Sequence, residues 1–257
     1  MKKPIVIKVG GALLQQAESL SSFMAAVKSM IDAGQPVVLV HGGGYLVEQQ
    51  LQANSKQTIK LDGLRVTPED QIDIIVGALA GTANKQIQAA AIAAGISAVG
   101  MSLSDANTVS AKVMKPELGL VGEVVANDDS YLQFIIAKGC LAVCSSIAID
   151  EQGNCLNVNA DQAAVAIAQL LQGGLVLLSD VPGVLDANKQ LLTHLNESQI
   201  HALITQGVIE KGMKVKVEAA LAVAQQSGVA VNIASWQDTI GLMGFANGGN
   251  LGTQIQP

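Results

Sequence analysis

Residues Pro36-Val37-Val38-Leu39-Val40-His41-Gly42-Gly43-Gly44-Tyr45 decide the fold. A short β-branched run of strand length stops at three consecutive glycines, and a helical pattern over 45–51 follows at once. Strand, glycines and helix in that order set backbone N–H donors at the positive end of a helix, a common anion site in α/β proteins. A plain tight turn would need fewer than three glycines. The first strand closes in a similar way, with Lys8-Val9-Gly10-Gly11. Gly10 and Gly11 bare their N–H groups without side-chain bulk, which suits phosphate oxygens. A lysine emerging from Ile5-Val6-Ile7 stands either in water at a strand end or among anions, since burying it unpaired is costly.

Working outward, strand-like runs cover 4–9, 36–40, 141–147, 175–179 and 229–233. Helical patterns cover 18–33, 68–94, 160–171 and 213–227. Strands alternating with helices imply right-handed crossovers and a mostly parallel sheet covered on both faces, so the fold class is α/β. The 68–94 helix has a start signal in Thr67 as N-cap, Pro68 at the first helical position and Glu69 and Asp70 in the first turn. Ile72, Val76, Leu79, Ala83 and Ile87 form its apolar stripe, and Gly77 and Gly81 permit close backbone approach. Between Ala106 and Gly122, Lys115-Pro116 and Gly119-Leu120-Val121-Gly122 break the pattern, which predicts a small antiparallel hairpin over the sheet edge. No repeat or flexible linker interrupts the chain. Two lobes, 1–170 and 171–257, would therefore share one continuous sheet.

With 257 residues, 49% of them hydrophobic and only 14% charged, the chain can bury a large core and is not of disordered type. Its net charge of −6 argues against a general nucleic-acid binder. No run approaches the roughly 18 apolar residues of a membrane span. The apolar run after Met1-Lys2-Lys3 is cut by Lys8, Gly10 and Gly11 too early for a signal peptide, so a soluble cytoplasmic protein is expected. Cys140, Cys144 and Cys155 lie in or near apolar runs and are expected to be reduced, buried thiols, with no metal site.

Arg65 is the single arginine among fifteen basic residues. Lysine serves every other basic position, and a planar, two-pronged grip on a carboxylate is what lysine cannot copy. Asn157-Val158-Asn159-Ala160-Asp161-Gln162 precedes a helix. Asn159 with Gln162 fits a capping box, and Asp161 falls in the first turn, where the dipole favours a carboxylate. Asn157 lies just outside and is harder to explain by structure alone. Ser179-Asp180-Val181-Pro182-Gly183-Val184-Leu185-Asp186 follows a very apolar strand, at the carboxyl end where α/β proteins bind ligands. Gly212-Met213-Lys214-Val215-Lys216 opens a later helix. His41 is expected to be a packing histidine, and His194 and His201 surface positions. Rossmann and P-loop spacings do not occur.

Taken in order along the chain, these segments, with Gly63-Leu64-Arg65-Val66-Thr67, resemble the amino-acid kinase family, in its branch acting on acetylated glutamate. The two glycine loops and the last two segments are shared broadly with sister kinases. Gly-Leu-Arg-Val-Thr and Asn-Val-Asn-Ala-Asp are much more specific. The resemblance implies ATP-dependent phosphorylation of the side-chain carboxylate of N-acetyl-L-glutamate, in arginine biosynthesis, with Mg2+ carried by the nucleotide. It implies a three-layer α/β/α sandwich whose N-terminal lobe holds the amino acid and whose C-terminal lobe holds ATP. By position, Lys8 contacts the transferring phosphoryl group, Lys216 the leaving phosphates, and Asp161 orients both lysines. Gly10, Gly11, Gly43 and Gly44 give backbone donors to the phosphoryl group and substrate. Arg65 clamps the α-carboxylate, Asn157 reads the acetylated amide, and Asn159 belongs to the same subsite. Asp180, Val181, Pro182, Gly183, Val184 and Leu185, with Val208, Ile209 and Glu210, line the nucleotide pocket. Lys211 and Lys214 flank a segment where the family more often carries acidic or apolar residues, and the register points to Lys216.

Arginine-inhibited members of that branch carry an extra N-terminal helix that joins dimers into hexamers. The chain starts almost directly with its first strand, so an arginine-insensitive homodimer is expected, associating through an apolar face of the 68–94 helix. Sister kinases of glutamate, aspartate, carbamate or nucleoside monophosphates give no reason for Arg65 and Asn157 in their contexts. A free-glutamate kinase would need an acidic partner for the ammonium group, and a kinase for carrier-bound aminoadipate would want a basic entrance. A catalytically inert sensor is opposed by the presence of Lys8, Lys216 and Asp161 together.

Overall fold

The computed structural model describes residues 2–61 and 63–257; the side chains of Lys211, Gly212, Val215, Gln226 and Ser227 lie outside that description. Eight strands form the central sheet in the order His194–Leu195, Thr253–Ile255, Val231–Ser235, Gly174–Ser179, Ile5–Val9, Val37–His41, Leu141–Ser145, Ala98–Ser102. From Val231–Ser235 to Ala98–Ser102 every pairing is parallel, and Thr253–Ile255 runs antiparallel to Val231–Ser235. Such a sheet is buried on both faces, and the strand residues separate by parity. Val6, Val38 and Val40 pack on one side with the helices Ala160–Leu170 and Lys211–Ser227. Ile5, Ile7, Val37 and Leu39 pack on the other with Phe23, Met24, Val27 and Met30 of the helix Ala17–Asp32. This is the expected α/β/α sandwich.

Four expectations about local structure need correction. The 141–147 run is not one strand: the central sheet keeps Leu141–Ser145, while Ile147–Ile149 joins a second sheet. Two buried serines make the crossing, and Ser146 accepts at its carbonyl from Val158 N–H, 3.0 Å away. The hairpin near Ala106 extends further than expected, pairing Val109–Val113 with Val121–Ala126, and it belongs to that four-stranded second sheet rather than to an edge of the first.

The 68–94 helix is the third case. It starts as a 3₁₀ turn, Glu69–Gln71, continues as Ile72–Val76, widens to a π segment over Gly77–Ala83 and returns to α at Asn84–Ala93. Thr67 does not cap it, because its hydroxyl is spent elsewhere: it donates to Arg65 O at 3.1 Å and accepts from Asn157 Nδ2 at 3.0 Å. Fourth, only Cys144 is fully buried, its thiol pushed up to about 12 by that burial, whereas Cys140 and Cys155 are partly exposed; all three are free. The strand Ala98–Ser102 is a further element with no sequence expectation. Its Gly100 interrupts the apolar run that would have signalled it, and the reason for that glycine is steric: a Cβ there would overlap Asn84 Oδ1. Among the described residues no helix is long and apolar enough to cross a membrane.

Candidate active site

Neighbouring parallel strands bring both glycine loops to one sheet edge. A methyl group added at Gly11 would stand 3.5 Å from Gly44 N and 3.7 Å from the Gly43 backbone, so the loops are in van der Waals contact. Behind Gly43 the π segment closes in, since a Cβ there would meet Leu79 Cδ2 at 2.9 Å and Ala83 Cβ at 3.3 Å. Gly11 and Gly44 open the helices Gly11–Leu14 and Gly44–Ala53, where first-turn N–H groups lack intrahelical partners. Among the described residues, no acceptor takes up the N–H of Gly11, Gly43 or Gly44. Three donors at one spot make an anion cradle.

On one side of this cradle lies a cavity of about 210 Å³, lined by Gly42, Gly43, Gly44, Arg65, Asn157 and Asn159 together with Lys60, Leu79 and Ser146. Arg65 reaches it from a two-strand ribbon, Lys60–Leu61 against Leu64–Arg65. Its guanidinium donates to Gly44 O at 3.2 Å, to Glu48 Oε2 at 3.1 Å and to Thr58 Oγ1. The Arg65 hydrogen bond, followed by that from Thr58, holds the Glu48 carboxyl below the usual carboxylate range. Of the five N–H donors of a guanidinium, two remain for a ligand. Asn157 spends its Nδ2 on Thr67, which leaves its amide oxygen as an acceptor at the cavity wall. Asn159 caps the Ala160–Leu170 helix, its Oδ1 accepting from Asp161 N at 2.9 Å and Gln162 N at 3.2 Å. The reciprocal bond from Gln162 that a capping box needs is not formed among the described residues.

A second cavity, of about 120 Å³, is lined by Lys8, Asp161, Ser179 and Lys216 with Leu177, Val223 and Ile233. Lys8 Nζ lies 2.9 Å from Asp161 Oδ1, and Lys8 is only 18% exposed. Lys216 Nζ donates instead to Asp180 Oδ1 at 2.9 Å, and that bond lowers the Asp180 pKa. Asp161 thus holds one of the two lysines and Asp180 the other. The first turn of the Ala160–Leu170 helix separates the cavities, with Asn159 and Ala160 on one and Asp161 on the other.

None of the remaining expected nucleotide residues lines this second cavity, and Asp180 reaches it only through its bond to Lys216. Asp180, Val181, Pro182 and Leu185 lie on the partly exposed loop after Gly174–Ser179, whereas Gly183 and Val184 turn inward, Val184 N donating to Thr253 Oγ1 at 2.7 Å. Ile209 is buried in the core, Val208 is half-buried, and Glu210 stands exposed before the Lys211–Ser227 helix. His41 is fully buried and its pKa is pushed down to about 4 by that burial, while His194 and His201 are exposed.

Sequence reasoning missed Lys60, Ser146, Leu79, Glu48 and Thr58. Only Lys60 and Thr58 carried a signal, their place just before the lone arginine. Among the described residues, no three His, Cys, Asp or Glu side chains come together as a metal site.

Comparison with known proteins shows the family. The model of the amino acid kinase family matches residues 3–235. An acetylglutamate kinase of Shewanella denitrificans is 61% identical over 256 residues, covering 100% of this chain and 98% of the relative. One from Shewanella halifaxensis is 59% identical, over 99% of this chain and 95% of the relative. A solved Streptococcus mutans structure superposes with a TM-score of 0.80 at 30% identity, covering 100% of this chain and 99% of the other. The N-acetylglutamate synthase of Neisseria gonorrhoeae, complexed with coenzyme A and N-acetyl-glutamate, reaches 0.81 at 22% identity over 99% of this chain and 59% of that one, which speaks for the fold alone. The chain belongs to the amino acid kinase family, in its acetylglutamate kinase branch.

Proposed function

We propose that the chain transfers the γ-phosphoryl group of ATP to the side-chain carboxylate of N-acetyl-L-glutamate, giving an acyl phosphate and ADP, a step of arginine biosynthesis. The observation that carries this reading is the pair of cavities on either side of the first turn of the Ala160–Leu170 helix, one holding Arg65 and Asn157 beside the glycines and the other Lys8 with Lys216. In the first, Arg65 holds the α-carboxylate, the Asn157 amide oxygen accepts from the acetamido N–H, and Leu79 and Val47 face the methyl group. In the second, the loop from Asp180 to Leu185 and residues Val208 to Glu210 border ATP. The N-terminal lobe, 1–170, then carries the amino acid and 171–257 the nucleotide.

A carboxylate of pKa about 4.3 is already ionised at neutral pH, so no general base is needed. The task is to suppress anion–anion repulsion and align the acceptor oxygen, phosphorus and leaving oxygen. Lys8 lies where charge on the transferring group is met, Lys216 where the leaving phosphates collect, and the N–H groups of Gly11, Gly43 and Gly44 hold equatorial oxygens. Asp161 orients Lys8. Mg2+, when bound, neutralises the phosphate oxygens. Among the described residues no carboxylate cluster gathers, which suits an ion that arrives on the nucleotide. A cytoplasmic location follows from the need for ATP.

ADP release with Mg-ATP, compared between N-acetyl-L-glutamate and free L-glutamate with hydroxylamine as trap, tests the reading. Turnover and hydroxamate with the acetylated compound alone are expected. Turnover with free glutamate alone would overturn the substrate assignment. We propose a homodimer as well, through the outer face of Asn84–Ala93, where Ile92 stands 59% exposed. Light scattering should return twice the 26.4 kDa chain mass; a monomer would refute it.

A further inference from the structure

We infer that His41 and Asn84 are positioning residues that aim the Gly43 N–H into the phosphoryl site, an inference that rests on the kinase reading above. His41 ends the strand Val37–His41 and has no exposed surface. Its Nδ1 lies 2.9 Å from Gly42 O. A carbonyl oxygen only accepts, so the proton must be on Nδ1. The other ring nitrogen, Nε2, lies 3.1 Å from Asn84 Nδ2. That amide also donates to Val143 O at 2.8 Å, which fixes its NH₂ end toward the histidine and leaves Nε2 as acceptor. The two contacts therefore specify one neutral tautomer.

The consequence reaches the site through the planar trans peptide. Within the Gly42–Gly43 peptide unit, C=O and N–H point in opposite directions. Holding Gly42 O against His41 turns the Gly43 N–H away from the core, toward the cavity, where no acceptor among the described residues takes it. A triple glycine has few conformational restraints of its own, so the orientation has to come from outside the loop. Asn84 is itself set in place by the irregular helix: the π segment Gly77–Ala83 ends just before it, and Gly100 leaves it room. The chain of contacts is Asn84, the His41 tautomer, Gly42 O and then the Gly43 N–H.

Steady-state kinetics on His41→Leu and His41→Asn test this, because an asparagine amide nitrogen occupies nearly the place of Nδ1. His41→Leu should lower kcat at least tenfold with KM for N-acetyl-L-glutamate changed less than about threefold, and His41→Asn should recover most of the loss. Equal losses in both variants, or an unchanged kcat in His41→Leu, would overturn the proposal and leave His41 a packing residue. Nitrogen-15 spectra of the ring in the intact parent protein give an independent check that needs no variant. A protonated Nδ1 and bare Nε2 at neutral pH are expected, and the opposite tautomer would overturn it. Asn84→Leu, which removes the donor to Nε2, should leave the ring tautomer unspecified and lower kcat in the same way; an unchanged kcat would refute the role of Asn84. Failure of the parent to phosphorylate N-acetyl-L-glutamate would sink the kinase reading instead, with the ring spectrum still deciding the tautomer.

Discussion

Lys8→Ala is expected to lower kcat by about 10²–10³-fold, or roughly 3–4 kcal/mol in the barrier, the usual loss for one donor aimed at developing charge. The Michaelis constant for N-acetyl-L-glutamate should move by no more than a few-fold. The split follows from location: Lys8 lines the cavity opposite Arg65 and Asn157, and on the proposed mechanism it meets the phosphoryl group and not the bound amino acid. The fold should survive. The carboxylate left behind, Asp161, is 44% exposed and stays hydrated, which avoids the penalty of an orphaned buried charge. Steady-state rates alongside a thermal melt decide the matter, and a loss under tenfold would remove Lys8 from the path of transfer.

Arg65→Lys should act on the other parameter. An ammonium offers three donors from one point, whereas the guanidinium serves Thr58, Gly44 O and Glu48 and still has one N–H on Nε and one on Nη1. Lysine cannot satisfy that wall and grip a carboxylate together. One charge-assisted bond is worth about 1.5–3 kcal/mol, so KM for N-acetyl-L-glutamate is expected to rise by about 10–100-fold. KM for ATP and kcat should change by less than about threefold. A KM equal to the parent's would take Arg65 out of the substrate site.

Much of this architecture could be read from local signals. The runs that became Ile5–Val9, Val37–His41 and Gly174–Ser179 are continuous, β-branched and bounded by glycine or serine, and each lies in the parallel sheet within a residue or two of its expected span. What escaped depends on partners distant in the chain. Thr67 has the composition of a helix cap, yet a residue ninety positions away claims its hydroxyl. Glycines 77 and 81 hinted at close approach, but a π segment packed behind Gly43 is a tertiary outcome that no spacing encodes. The lone arginine was conspicuous by rarity, whereas Glu48 was not, because an exposed acidic residue is ordinary until something holds it. Lys216 was legible as a candidate; that Asp180 rather than Asp161 would be its partner was not.

The Ile5–Val9 strand is hydrogen-bonded on both flanks, to Val37–His41 of residues 1–170 and to Gly174–Ser179 of residues 171–257. No seam therefore runs between the two halves. A relative movement of the two halves would twist a paired ladder shared by many residues, and a swing about a linker alone could not supply it. The same ladder ties melting together: one half cannot lose its strand without stripping the other of a neighbour, and the substrate that steadies one end protects the whole chain against heat.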